Sequence, residues 1–219
     1  MGFHLNRSDI IEAYRASHAV HGDSPSAVMW PRGRQDLRFR ALTRHFDAAT
    51  PYTILDYGCG LAHLHDYLIA HRHRAAYIGA DIVPEFVEAS GQKHPGSSFL
   101  LVKGDGDIGI EVDHVVVSGA FNIIEGDQDV HWGAVRGVLT RLFKQCRSSL
   151  AVNFMTDQVD FQQDEAFHVS PAEVVDFVRR SLTRRYTLDH SYMPYEFTVV
   201  AYKDEQILRP YNVFEHAEG

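Results

Sequence analysis

The sequence predicts an α/β protein in which a mostly parallel sheet is covered on both faces by helices and carries an N-terminal helical cap. Three observations lead there. Between Tyr52 and Phe154, short apolar runs alternate with segments of helical period, the pattern of parallel strands joined by crossover helices. Near the C-terminus two strand-like runs are separated only by Ser191 to Tyr195, too short for a parallel crossover, so the last strand runs antiparallel. Residues 1–50 show no strand pattern and read as helix, loop, helix.

Each element has its own signal. Asp9 with Glu12 resembles a capping box opening a helix through Ile10 and Arg15, and His21-Gly22-Asp23-Ser24-Pro25 is turn chemistry. Leu37, Ala41, Leu42, His45 and Phe46 then share one face of a second helix. A short buried strand, Tyr52 to Asp56, runs into Gly58-Cys59-Gly60 and a helix around Leu64, Tyr67 and Leu68. The alternation continues with a strand from Ala76 to Asp81, a helix from Pro84 to about Lys93, and strands from Phe99 to Lys103 and Val112 to Ser118. A long helix follows, about Asp129 to Cys146, with Val135, Val138, Leu139, Leu142 and Phe143 on one face, and then a strand from Ser149 to Phe154. Ser170, Pro171 and Glu173 supply an N-cap, an N1 proline and an N3 glutamate for a helix from Val174 to Leu182. The closing hairpin pairs Tyr186 to His190 with Glu196 to Tyr202.

A chain of 219 residues fits a single domain: cap over 1–50, core over 51–203 and a charged tail over 204–219. With 45% hydrophobic and 23% charged residues it is an ordinary globule. Its 21 Lys and Arg against 29 Asp and Glu leave a formal charge of −8, which argues against nucleic acid and anionic membranes as partners. Protonating all 14 histidines would carry that charge from −8 to +6, so the surface field depends on mildly acidic pH. Cys59 and Cys146 are too few for a disulfide scaffold and suit a reducing compartment. The N-terminus has no apolar core of a leader and no stretch long enough to span a membrane, so a cytoplasmic protein is expected. There is no internal repeat.

The chemistry is concentrated after the first strand. Gly58-x-Gly60 between strand and helix lets backbone approach a ligand, and Asp81 ends the next strand 21 residues after Gly60, placed to accept bonds from both hydroxyls of a ribose. A pyrophosphate turn calls for a third glycine at position 63, where His63 stands. Asp56, just before the turn, would repel a pyrophosphate and attract an ammonium. An amino-acid end, a ribose and no phosphate describe S-adenosylmethionine.

On these residues the chain resembles the class I S-adenosylmethionine-dependent methyltransferases over about residues 50–203, with Asp56-x-Gly58-x-Gly60 and Asp81 as the markers. It is similar to a bacterial small-molecule subgroup through Gly22-Asp23-Ser24-Pro25, Leu37-Arg38-Phe39, the run from Val116 to Asn122, Asn153-Phe154-Met155-Thr156 and Tyr195-Glu196-Phe197-Thr198. Ala62 departs from the family's usual third glycine, and its methyl group is expected to narrow the cofactor pocket slightly. The resemblance implies a Rossmann-like, doubly wound, seven-stranded sheet with an antiparallel last strand. It assigns Asp56, Gly58, Cys59 and Gly60 to the methionine moiety, Asp81 to the ribose, Ile82, Asp105 and Gly106 to the adenine, and Ser118 to the sulfonium side.

Residues just past the other strand ends face the acceptor: Phe121, Asn122, Asn153, His190, Tyr195 and Glu196, with Trp30 closing from the N-terminal segment and Thr156 to Val169 long enough for a lid. His190 is the expected general base, with Glu196 or Asp160 behind it. No metal is expected, because the pairs His63/His65 and His71/His73 have a spacing that does not share a helix face. Arg179, Arg180, Arg184 and Arg185 read as a solvated helix end. No Asn/Asp-Pro-Pro-aromatic run of nucleobase methylation occurs where Asn122-Ile123-Ile124 stands. The expected function is methyl transfer to an oxygen or nitrogen of a small polar metabolite or natural-product intermediate. The competing readings are a nicotinamide-dependent oxidoreductase, disfavoured by Asp56 and His63, and a nucleoside-binding module without turnover.

Overall fold

The computed structural model describes residues 6–30 and 34–203, so the 204–219 tail and Met1 to Leu5 lie outside the described residues. α1 (Arg7–His21) and α2 (Gln35–Thr43) form the cap. The core then runs β1 (Tyr52–Tyr57), α3 (His63–Ala70), β2 (Ala75–Asp81), α4 (Pro84–Lys93), β3 (Ser98–Leu101), β4 (Val112–Val117), α5 (Gln128–Gln145) and β5 (Cys146–Thr156). It closes with β6 (His168–Val169), α6 (Pro171–Ser181), β7 (Tyr186–Met193) and β8 (Glu196–Tyr202).

The main sheet path is β3-β2-β1-β4-β5-β8-β7, with the two-residue β6 pairing beside β5. All pairings from β3 to β5 are parallel, and β8 is antiparallel to both β5 and β7. β6 brings the sheet to eight strands, of which the expected seven, with an antiparallel last strand, make up the main path. That strand lies one place inside the edge, because β7 enters parallel to β5 and leaves β8 the gap between them.

Strand alternation divides the core. Leu55, Val115, Val117, Leu150, Val152 and Val199 point to the face covered by α5 and α6, whereas Ile54, Val116, Ala151 and Val200 meet Phe39, Leu42, Leu64 and Leu68 on the other. α5 reaches the sheet through Trp132, Val135, Val138, Leu139 and Leu142, the face its helical period marks. A smaller cluster of Ala27, Leu61, Val83 and Phe86 ties the N-terminal segment to α4.

Local differences from the sequence reading have simple causes. The capping box of α1 is Asn6 with Asp9, the Asn6 side chain accepting from the Ser8 and Asp9 amides and Asp9 accepting from the Asn6 amide, so Asp9 stands at N3 and not at the cap. Ser170 and Pro171 do open α6, but Ser170 makes no side-chain cap bond. β5 is longer at both ends than expected because β8 pairs along it from Ser149 to Met155 and the register with β4 begins at Cys146. β7 runs on to Met193, leaving Pro194 and Tyr195 as the turn.

Candidate active site

A cleft of about 940 Å³ opens at the carboxyl ends of β1, β2, β4 and β5, the place where parallel α/β sheets bind ligands. Tyr14 and Trp30 line it from the N-terminal segment, and Gln158, Asp160 and Phe161 from the stretch between β5 and β6.

The floor is the turn after β1. The Gly58 and Cys59 amides both donate to the Ala80 carbonyl, at 2.7 and 3.1 Å, which folds the turn over the end of β2. Gly58 has φ +80°, and a Cβ there would stand 2.4 Å from the Ala120 Cβ. Gly60 has φ +54°, with a Cβ 2.9 Å from a Val28 methyl. Only glycine fits both the conformation and the space. The buried Asp81 fixes this turn by accepting the Gly60 amide at 2.8 Å on Oδ2 and the Val83 amide at 2.9 Å on Oδ1. Each oxygen keeps a lone pair for a further donor.

Asp56 is buried beside it. Its Oδ2 accepts the Tyr77 hydroxyl at 2.6 Å, while its Oδ1 has no hydrogen-bond partner. Burial, reinforced by the charge of Asp81, pushes the Asp56 carboxyl up to about 7. Asp81 is also raised by burial, against the pull of the Val83 and Gly60 amides. Burial and the neighbouring Asp81 together push the Tyr14 phenol up to about 12. Two enclosed carboxyl groups at the floor disfavour a phosphate and favour a cation or hydroxyl donors.

The side of the cleft nearest α2 and β8 is built on an arginine. Arg38, on α2, donates through Nε to Glu196 Oε1 at 2.8 Å and through Nη2 to Oε2, and both side chains are buried. The Tyr192 hydroxyl adds a bond to Glu196 Oε1 at 2.9 Å. The guanidinium carbon of Arg38 lies 3.2 Å from the Trp30 ring centroid, and that of Arg34 lies 5.0 Å from the Tyr195 ring centroid, placing both rings at the cleft. On the opposite rim Arg7 bonds the Lys103 carbonyl and pairs with Glu125 at 3.0 Å, beside Gly104 and Ile82.

Of the residues predicted for the cofactor, Asp56, Gly58, Cys59, Gly60, Asp81, Ile82 and Ser118 all line the cleft. Asp105 and Gly106 are not among its lining residues. Asp105 is exposed, its carbonyl accepting from Arg141, and Gly106 is pressed on α5, where a Cβ would stand 2.8 Å from the Val138 carbonyl oxygen. The glycine that does reach the cleft in this loop is Gly104. Ala62 does not narrow the pocket. It takes the left-handed conformation, φ +58°, that a glycine would hold, and its methyl packs among Phe39, Leu64 and Leu68.

Of the residues predicted for the acceptor, Trp30, Phe121, Asn122, Tyr195 and Glu196 line the cleft, as does Asp160. Asn153 lies behind the wall, its Oδ1 accepting the Gly119 amide at 2.9 Å. His190 is not brought to the cleft. It sits on the β7–β8 hairpin, with Nε2 3.3 Å from the Pro194 carbonyl and its ring against Phe197. Glu196 is held by Arg38 and Tyr192, and among the described residues no hydrogen bond joins it to His190. Arg179 and Arg180 pair with Asp176 on the α6 surface.

Sequence reasoning missed Arg38, Arg7, Tyr14 and His168, all of which line the cleft. One signal for Arg38 existed: it precedes Ala41 and Leu42 by three and four residues, so it stands on the apolar stripe of its helix and requires a buried partner. That partner, Glu196, is 158 residues away, and no local pattern names it.

No family model matches the chain. A Mycobacterium tuberculosis (strain ATCC 25618 / H37Rv) protein named "Putative methyltransferase Rv1506c" is 31% identical over 163 residues, which cover 73% of this chain and 98% of that one. The fold is shared with solved structures at lower identity. The magnesium protoporphyrin IX methyltransferase of Synechocystis PCC 6803 with bound SAM is 15% identical, with a TM-score of 0.53 over 93% of this chain and 87% of that one. The 1,6-didemethyltoxoflavin-N1-methyltransferase of Burkholderia thailandensis, holding 1,6-didemethyltoxoflavin and S-adenosylhomocysteine, is 14% identical, with a TM-score of 0.60 over 90% and 86% of the two chains.

Proposed function

The chain belongs to the methyltransferases and carries the fold of their S-adenosylmethionine-dependent class; on that premise we propose that it moves a methyl group from S-adenosylmethionine to an oxygen or nitrogen of a small molecule. The observation that carries the reading is the pair of buried carboxyl groups on the glycine turn. Asp56 has an oxygen without a partner, and Asp81 has acceptor capacity left after fixing Gly60 and Val83. That set of acceptors fits an ammonium and a ribose diol and is wrong for a diphosphate.

The bound cofactor supplies a methyl group already activated by its sulfonium. Asp56 then holds the ammonium, Asp81 accepts from the ribose hydroxyls, and the tightly approached backbone at Gly58, Cys59 and Gly60 bounds the methionine part. Ile82 packs on the adenine, with Gly104 supplying the loop contact that the family resemblance assigns to Asp105 and Gly106. Ser118 directly follows β4, at the reacting side. Because the displacement needs alignment above all, the main work of the protein is to position the acceptor and exclude water. Trp30, Phe121, Phe161 and Tyr195 line the acceptor half, which supports a flat molecule with a polar edge. The stretch between β5 and β6 is tied to the loop after β4 by the Phe167 amide on the Asn122 carbonyl at 2.8 Å and supplies the outer wall.

The same reading takes residues 1–219 as one domain, with the 1–50 cap packed on the 51–203 core and the 204–219 tail beyond it, acting in the cytoplasm. In support, α2 joins the sheet core through Phe39 and Leu42, and among the described residues no helix is long and apolar enough to cross a membrane. The test is a cofactor-consumption screen against a metabolite panel, paired with calorimetry using S-adenosylhomocysteine and a nicotinamide dinucleotide. Binding of the dinucleotide alone would reject the proposal.

A further inference from the structure

We propose that His168 is the general base of the transfer, which restricts the acceptor to groups that lose a proton on methylation, such as a phenol-type hydroxyl or a ring N–H. The inference rests on the methyl-transfer reading above. It starts from the histidines that line the cleft, His63, His131 and His168. His63 is occupied on both ring nitrogens, by Asp23 at 2.8 Å and by the Gln35 amide at 3.3 Å. His131 is occupied on both as well: Nδ1 accepts the Glu125 amide at 3.1 Å and Nε2 donates to the Phe121 carbonyl at 3.1 Å. His131 therefore braces the loop after β4.

His168 differs. Its Nδ1 lies 2.8 Å from the Thr156 carbonyl oxygen. A carbonyl can only accept, so Nδ1 carries the hydrogen and the neutral ring has its lone pair on Nε2. Among the described residues Nε2 has no hydrogen-bond partner, although the residue is only 7% exposed and lines the cleft. A buried ring whose tautomer is set from behind, with its basic nitrogen left open at a ligand cavity, is the arrangement a general base requires.

Its placement is equally constrained. β6 pairs with the carboxyl end of β5 through Met155↔His168 and Thr156↔Val169, and the preceding residue, Phe167, is bonded to Asn122 in the loop after β4. The Gln128 side chain, from the first turn of α5, donates to the His168 carbonyl. Three separate elements thus hold a two-residue strand whose sequence carries no strand period of its own.

In the transfer, the acceptor's O–H or N–H bond breaks and its proton goes to Nε2. The electron pair left on the acceptor atom forms the new bond to the methyl carbon. The carbon–sulfur bond breaks with its pair staying on sulfur as a neutral thioether, and the imidazolium releases its proton to solvent.

Two readouts test the assignment, one of them independent of turnover. In full-length protein saturated with S-adenosylhomocysteine and labelled with nitrogen-15 at histidine, His168 is expected as the Nδ1–H tautomer. An Nε2–H tautomer overturns the proposal whatever the activity shows. His168→Asn keeps a donor toward the Thr156 carbonyl while removing the base. It is expected to bind S-adenosylhomocysteine as the wild type does, yet to lose methyl transfer from tritiated S-adenosylmethionine to a panel of phenols and ring N–H heterocycles by about 100-fold or more, with partial rescue by added imidazole. Full turnover in His168→Asn overturns it. Failure of the wild type to bind S-adenosylhomocysteine strikes the methyl-transfer reading instead, a result the tautomer measurement keeps distinct.

Discussion

Arg38 of α2 and Glu196 of β8 form a two-pronged ion pair with side chains only 4% and 0% exposed, so the cap is bolted to the sheet by charges that water does not reach. Removing one partner strands the other. Arg38→Met or Glu196→Leu alone is expected to cost about 3–5 kcal/mol of unfolding free energy, whereas the double substitution recovers most of the loss. Urea denaturation of the three variants checks this. No recovery in the double would contradict the stranded-charge account, and unchanged stability in both singles would show that the pair does not hold the fold.

Gly58→Ala places a methyl 2.4 Å from the Ala120 Cβ at φ +80°. Overpacking of this kind costs about 1–3 kcal/mol, and the turn beneath the cleft moves. Weaker cofactor binding with a lowered melting temperature is the expected outcome, read by calorimetry and thermal unfolding on the same preparation.

Asp56, raised to about 7 by burial, is largely protonated in the free protein below neutrality. A raised folded-state value for a carboxyl means stability that is fully present below the ordinary value and is lost as pH rises toward 7. An ammonium beside the group needs it ionised, so affinity for S-adenosylhomocysteine should rise as pH increases from about 5.5 to 7.5. Asp56→Asn should bind more weakly and with a flat profile over the same range. An equally steep profile in the variant would assign the effect to another group.

At the opposite end of the sheet, His45 and His114 share the Ser149 hydroxyl at 2.7 and 2.8 Å. Burial lowers them to about 3 and about 4. Depressed values in the folded state mean stability that is complete above the ordinary histidine range and lost as pH falls from about 6.5. Denaturation midpoints should therefore drop between pH 6.5 and 4, and His114→Phe should flatten that drop. The histidine surplus in the composition becomes specific here: these two sense acid through the core.

What the sequence revealed follows from what is local. Strand and helix periods located β1, β2, β4, α4 and α5 nearly to the residue, and the spacing of Gly58, Gly60 and Asp81 marked the turn that floors the cleft, because those contacts lie within one βαβ unit. The rest of the cleft was less legible. Phe121 and Tyr195, read from strand ends, and Trp30, read from the N-terminal segment, all line the cleft. His190 looked equally well placed until β7 ran on to Met193 and carried it onto a hairpin beside the Pro194 carbonyl. His168 was passed over as part of a long loop, since its two-residue strand exists only through pairing with β5. Asp105 and Gly106 were displaced by a shift within one loop, whose packing on Val138 and Arg141 depends on α5.

The central claim is that Asp56 and Asp81 make a site for S-adenosylmethionine, and calorimetry of S-adenosylhomocysteine against the wild type and Asp81→Ala tests it most directly. One-to-one binding to the wild type and a loss of about 100-fold or more, ~2.7 kcal/mol, in the variant are expected. No binding to the wild type, or equal binding to both proteins, would contradict it.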